Sequence, residues 1–122
     1  MDVEELLRRY AAGERDFTGA KLSRASLVGA KLVGVNFWGA DLSGANLAKA
    51  KLWGTNLSGA NLARANLTRA NLSGAKLNEA NLRQAKLNYT KLFGASLSGA
   101  YYDESTRFSQ GFDPQSRNMR KV

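Results

Sequence analysis

From Phe17 to Leu97 a large apolar residue recurs at every fifth position without a slip. The centres are Phe17, Leu22, Leu27, Leu32, Phe37, Leu42, Leu47, Leu52, Leu57, Leu62, Leu67, Leu72, Leu77, Leu82, Leu87, Leu92 and Leu97, seventeen in all. Two residues before nearly every centre stands Ala; the exceptions are Arg15, Val35, Thr55 and Thr90. A helix cannot use this pattern, because five steps of about 100° rotate each centre by roughly 140° from the last and scatter the leucines around the cylinder. A straight strand fails as well, since an odd step sends successive leucines to opposite faces. A chain that turns a corner in every unit, always in the same sense, solves the problem. The centre and the residue two before it then point inward and the other three point out. The pattern therefore predicts an all-β solenoid whose coils stack by strand pairing. Its structural core is the column typified by Phe17, Phe37, Leu47, Leu57, Leu67, Leu77, Leu87 and Leu97, lined by alanine.

The corners carry their own signal. Two residues after the centre, ten units have Gly, Gly34 and Gly54 among them. A type II turn needs φ > 0 at its second central residue, where glycine meets no steric penalty. The units with Arg24, Lys49, Arg64, Arg69, Glu79, Gln84 or Tyr89 at this place are expected to turn by another type.

Units such as ADLSG, ANLAK, ANLAR, ANLTR and ANLSG resemble the pentapeptide repeat family, whose unit is A-(D/N)-L-x-x. The resemblance covers residues 15–102 and implies a right-handed quadrilateral β-helix with four units per coil, hence about four to five coils. At a strand spacing of about 4.8 Å such a rod is only about 21 Å long. The two ends, MDVEELLRRYAAGERDF and YYDESTRFSQGFDP, look like those of short cyanobacterial members. The chain departs from the family's preference for Asp or Asn at Lys21, Ser26, Lys31, Lys51, Lys76, Lys86, Lys91 and Ser96. That changes surface charge and leaves the interior intact.

A solenoid exposes unpaired backbone at its ends, so caps are expected. Residues 1–14 read as an N-terminal capping α-helix: Asp2 and Glu5 have capping-box spacing, Val3, Leu6, Leu7 and Tyr10 form an apolar stripe, and Gly13 can end it. Residues 103–122 read as an irregular C-terminal cap and tail, anchored by Phe108 and Phe112, with the last few residues frayed.

Charge changes the picture more through its placement than through its total of +8. Between Phe17 and Gly99 stand eleven bases and two acids, Asp41 and Glu79, a net of +9. A basic body attracts phosphates, anionic lipid or acidic proteins. With no cysteine and no histidine, thiol nucleophiles, thiolate metal sites and the commonest general base and metal ligand are missing. No close carboxylate pair occurs within the repeats, and there is no phosphate-binding loop or dinucleotide fingerprint. The reading is a non-enzyme with no cofactor and no metal. No apolar run approaches the roughly 18 residues of a membrane helix, and MDVEELLRRY lacks the apolar core of a signal peptide. A soluble cytoplasmic protein without membrane contact is expected.

On the outside, Lys31, Lys51, Asn71 and Lys91 fall on one face beside Val33, Trp53, Ser73 and Phe93, with Trp38 on the next. Stacked asparagines, such as Asn46 with Asn66 and Asn61 with Asn81, are expected to form side-chain ladders. Bases mixed with exposed aromatics mark Lys31, Val33, Trp38, Lys51, Trp53, Lys91 and Phe93 as a candidate interaction surface. The leading expectation is a structural or protein-interaction module, a monomer or weak homodimer, with an unidentified protein partner. Nucleic acid or another polyanion is the alternative partner, bound through the basic faces. The family resemblance adds a third: some members mimic DNA and protect DNA gyrase. Mimicry needs a negative surface, which a net of +9 does not supply.

Overall fold

Residues twenty apart lie side by side along the repeats. In the computed structural model, which describes residues 1–122, parallel pairing joins Asp16 to Asn36, Asn36 to Asn56 and so on up to Asn81 with Tyr101. Four units thus separate a residue from its neighbour in the next coil, and the coil has four faces. Face 1 is centred on Phe17, Phe37, Leu57, Leu77 and Leu97, and face 2 on Leu22, Leu42, Leu62, Leu82 and Tyr102. Face 3 is centred on Leu27, Leu47, Leu67 and Leu87, and face 4 on Leu32, Leu52, Leu72 and Leu92.

Each unit uses its backbone in the same way. On face 4 the N–H of Leu52 donates to Asn71 O (2.9 Å), that of Gly54 to Ser73 O (2.9 Å), and Asn71 returns a bond to Ala50 O (3.0 Å). The corner is closed three residues on, as where the N–H of Ala60 donates to Leu57 O (3.0 Å). Corners follow so closely that pairing appears as isolated bridges rather than long strands.

The expected division of corners into two kinds does not occur. Arg24, Lys49, Arg64, Arg69, Glu79, Gln84 and Tyr89 all have φ between 59° and 63°, in the same left-handed region as the glycines. The ladder imposes this: the N–H of Arg64 donates to Arg83 O (2.9 Å) and that of Lys49 to Thr68 O (2.9 Å). Forcing an L-residue into this region costs roughly 1–2 kcal/mol. Breaking the coil would cost its ladder bonds and its core packing together, so local preference yields to the stack.

Inside, the leucines and phenylalanines form one continuous cluster with the alanines, and Phe37, Leu47, Leu57, Leu67 and Leu77 are fully buried. Phe17 and Phe37, in adjacent coils, are 6.2 Å apart between ring centroids. Leu92 is the exception among the centres, only partly buried. Two inward positions hold threonine, and each hydroxyl is satisfied by a main-chain oxygen: Thr55 donates to Leu52 O (2.8 Å) and Thr90 to Leu67 O (2.7 Å).

Helix α1 (Val3–Ala11) lies against the first coil. Asp2 Oδ1 accepts from the Glu5 N–H (2.8 Å), and Leu6 is buried in the core cluster. Tyr10 donates its hydroxyl to Val33 O (3.2 Å). Glu5 does not return the capping-box bond; its carboxylate faces Arg9 instead. Leu7, expected in the apolar stripe, is exposed.

At the other end the chain behaves differently from the expected frayed tail. Strand β1 (Lys86–Leu87) pairs with β3 (Arg107–Phe108), and β2 (Tyr101–Tyr102) pairs with β4 (Arg120–Lys121), both in parallel. The first offset is 21 residues because the corner after Tyr102 holds one extra residue; the second is 19. From Arg107 to Arg120 the chain takes thirteen residues where three regular units would take fifteen. It cuts across the end of the core and leaves the top of face 4 unpaired. Phe108 fills that end, stacked on Phe112 (4.7 Å) and edge-on to Tyr102 (5.6 Å). Met119 is buried, and the Val122 N–H donates to Tyr102 O (2.8 Å), so the final residues are held. No helix is long and apolar enough to cross a membrane.

Candidate interaction surface

The coil register sorts the outward residues into columns. Lys31, Lys51, Asn71 and Lys91 stack by direct pairing on face 4. Val33, Trp53, Ser73 and Phe93 stack beside them, linked by Gly34 N–H to Trp53 O, Gly54 N–H to Ser73 O and Gly74 N–H to Phe93 O. Phe93 is 89 % exposed and Trp53 40 %. Trp38, 56 % exposed, stands apart in the face 1 column between Thr18 and Ser58. The surface read from the sequence is therefore one column pair of six residues, with Trp38 outside it.

Charge separates along the same faces. Within the repeats, faces 3 and 4 carry Lys31, Lys49, Lys51, Arg69, Lys86 and Lys91 and no acid. Every repeat acid, Asp16, Asp41 and Glu79, lies on face 1 or 2. Lys49 and Lys51 flank the corner between faces 3 and 4, and one coil on Arg69 extends its guanidinium over the exposed Tyr89 ring, 4.9 Å from the centroid. At the far edge of face 4 the corner is glycine in all four coils, and around Gly34, Gly54 and Gly74 there is open space. The result is a flat strip, basic along one edge, aromatic in the middle and bare along the other edge.

No group of three or more acidic side chains lies close enough to hold a metal ion, and the surface has no enclosed pocket. What the strip offers is area for contact.

The comparisons with known proteins follow the same residues. The family model described as pentapeptide repeats matches over residues 16–48, 40–78 and 65–101. The chain belongs to the pentapeptide repeat family. Among solved structures, this pentapeptide repeat protein is similar to alr5209 from Nostoc PCC 7120: 37 % identity over 99 % of this chain and 96 % of that one, TM-score 0.61. HetL of Nostoc sp. strain PCC 7120, a pentapeptide repeat protein involved in heterocyst differentiation regulation, is 31 % identical over 99 % of this chain and 77 % of its own, TM-score 0.52. A pentapeptide repeat protein from the Arabidopsis thaliana thylakoid lumen is 35 % identical over 74 % of this chain and 63 % of its own, TM-score 0.45. No curated protein matches the chain.

In this pentapeptide repeat protein the Asp or Asn before each centre has a local task. Its Oδ1 accepts the N–H of the residue two further on, as in Asn36 to Trp38 (3.0 Å), Asp41 to Ser43 (3.0 Å), Asn61 to Ala63 (3.0 Å) and Asn71 to Ser73 (3.0 Å). This is an Asx turn built into the unit. The expected ladders of asparagine side chains give way to it: the asparagines stack in register, but only Asn81 bonds the one below, Nδ2 to Asn61 Oδ1 at 3.4 Å. Asn61 Oδ1 serves both, closing its own unit's N–H and accepting from Asn81; at the other stacked asparagines the Oδ1 is used within its own unit. The hydroxyl and N–H of Ser43 hold the Asp41 carboxyl below the usual range, and Thr18 does the same for Asp16. Burial raises the carboxyl of Asp103, but the N–H groups of Gln84 and Ser105 and the bonds from Thr106 bring it down on balance.

The groups missed by the sequence reading are main-chain ones. Where Lys replaces Asn, the Asx acceptor is gone and the N–H it would have served is open. The replaced positions were visible in the sequence; the bond they delete was not.

Proposed function

We propose that this protein is a non-enzymatic docking module, a rod that presents face 4 and its basic edge to a protein partner. The rod is read as a right-handed quadrilateral β-helix of four to five coils, closed by α1 at one end and by residues 103–122 at the other. The supporting observation is that Trp53 and Phe93 stand exposed on a flat face that carries no acid. Large aromatics cost free energy when left in water and are enriched at the centres of protein interfaces, where they bury much area with little loss of side-chain freedom. The rigid coil holds them in place in advance, so little further ordering is needed on binding.

A pull-down from cyanobacterial lysate, graded in salt and repeated with nuclease, tests this against the Trp53→Ser variant and a charge-matched control protein. The expected result is a protein retained after nuclease and moderate salt and lost with Trp53→Ser. No enrichment over the control overturns the proposal. The segregation of bases onto faces 3 and 4 supports a second reading, polyanion binding. Under that reading the captured signal disappears with nuclease or salt and ignores Trp53→Ser. Gyrase mimicry has no negative face to work with on faces 3 and 4. We place the protein's action in the cytoplasm.

A further inference from the structure

Open outward donors occur on every face, at Ser23, Val28, Asn78, Asn88 and Ser98 as well. Face 4 has the largest share, and only there does a lysine precede and a glycine follow each one. Outward N–H groups one residue after each centre are closed by an Asx side chain where Asp or Asn precedes the centre, as at Ser73 with Asn71. On face 4 three of the four units have lysine there instead, Lys31, Lys51 and Lys91. The N–H groups of Val33, Trp53 and Phe93 consequently have no acceptor within the protein. Each open donor is accompanied by an exposed lysine two residues earlier and by a glycine one residue later that places no side chain over it.

We propose that these three sites bind carboxylates of an acidic helix in a partner protein, each carboxylate taking the place of the missing Asx oxygen. The inference rests on the docking reading above and gives the partner its chemistry. A carboxylate accepts from the main-chain N–H as Asp41 Oδ1 does within its own unit, and the adjacent ammonium adds a charge-assisted bond. Spacing selects the helix. The sites step by about 4.8 Å per coil, so Lys31, Lys51 and Lys91 sit at about 0, 4.8 and 14.4 Å. Glutamates at i, i+3 and i+10 of a helix lie at about 0, 4.5 and 15 Å and share one side of it. An extended strand repeats a side at about 6.6–6.8 Å, and B-form DNA sets phosphates about 3.4 Å apart along each strand, so neither keeps register. The helix position at i+7 falls over Ser73, between Trp53 and Phe93, and takes an apolar residue.

The test uses a synthetic alanine-rich helical peptide with Glu at i, i+3 and i+10 and Leu at i+7, a scrambled peptide of the same composition, and oligothymidylate of matching charge. Binding to the whole protein is followed by fluorescence and by amide NMR. The designed peptide is expected to bind at least ten-fold more tightly than the scrambled one and to move the amide protons of Val33, Trp53 and Phe93 downfield. Two triple variants separate charge from the open donor. Lys31→Asn, Lys51→Asn, Lys91→Asn closes each N–H internally and should abolish those shifts and cost at least ten-fold in affinity. Lys31→Gln, Lys51→Gln, Lys91→Gln removes the same charge, lacks the Asx geometry, and should cost clearly less. Circular dichroism confirms that both remain folded. Equal losses in the two triples, equal binding of the scrambled peptide, or tighter binding of oligothymidylate with the same shifts would each overturn the proposal. If the lysate partner still depends on Trp53 while the peptide fails, the docking module stands and the acidic helix does not.

Discussion

Face 2 and face 4 share one backbone plan and one core, yet they present opposite surfaces. On face 2 the residues before the centres include Asp41, Asn61 and Asn81, so the outward N–H groups of Ser43, Ala63 and Arg83 are closed within their own units. Its corners hold Arg24, Arg64 and Gln84 in the left-handed region. On face 4 only Ser73 is closed, and every corner is glycine. Face 2 closes all its outward donors except Ser23, which follows Lys21, and all of its corners except Gly44 carry long polar side chains. Face 4 leaves donors open, bares its corner and sets Trp53 and Phe93 between them. One outward position out of five decides whether a unit closes its own outward donor or leaves it open, and the core is indifferent to that choice.

That indifference holds only while the core is intact. Leu67→Ala, at a fully buried centre, should remove both faces together by opening a cavity at a cost of about 3–5 kcal/mol, read as a fall in urea midpoint with loss of the β signal. A reciprocal exchange probes the contrast itself. Lys51→Asn should stabilise the protein and Asn61→Lys destabilise it, each by about 1 kcal/mol, the typical net worth of one hydrogen bond. Chemical denaturation measures both, and equal effects of the same sign would remove the Asx account. Smallest is the corner. Arg64→Gly on face 2 should raise stability by up to about 1 kcal/mol, because φ of 61° strains arginine and suits glycine, partly offset by the freer unfolded chain. A loss of stability there would mean that the arginine side chain contributes more than its backbone costs.

Much of the architecture was legible because the five-residue phase is a packing rule written in side-chain size. Leu67 must point inward, Ala65 must be small, and Asn66 between them must point out. The family resemblance then supplied four units to the coil. Corner conformation was less legible, since the turn signal was read from glycine alone, whereas Arg64 and Tyr89 are held at the same φ by bonds to the neighbouring coil, Arg64 N–H to Arg83 O and Tyr89 N–H to Ser109 Oγ. The C-terminal end was misread for a related reason. Past Tyr102 the phase shifts by one residue, and nothing local shows that Arg107 and Arg120 rejoin the stack on β1 and β2.

The candidate surface divides in the same way. Lys31, Lys51, Lys91, Trp53 and Phe93 stood out by type and by their shared place in a twenty-residue column, while Trp38 was grouped with them although its column belongs to face 1. The sequence by itself determined the inward column, the basic excess and the absence of thiol and imidazole chemistry, because periodicity and composition act residue by residue. Tertiary structure alone decided which corners bend against their preference and which main-chain donors are left without an acceptor. Those properties depend on pairing across coils, and pairing exists only once the chain has wound on itself.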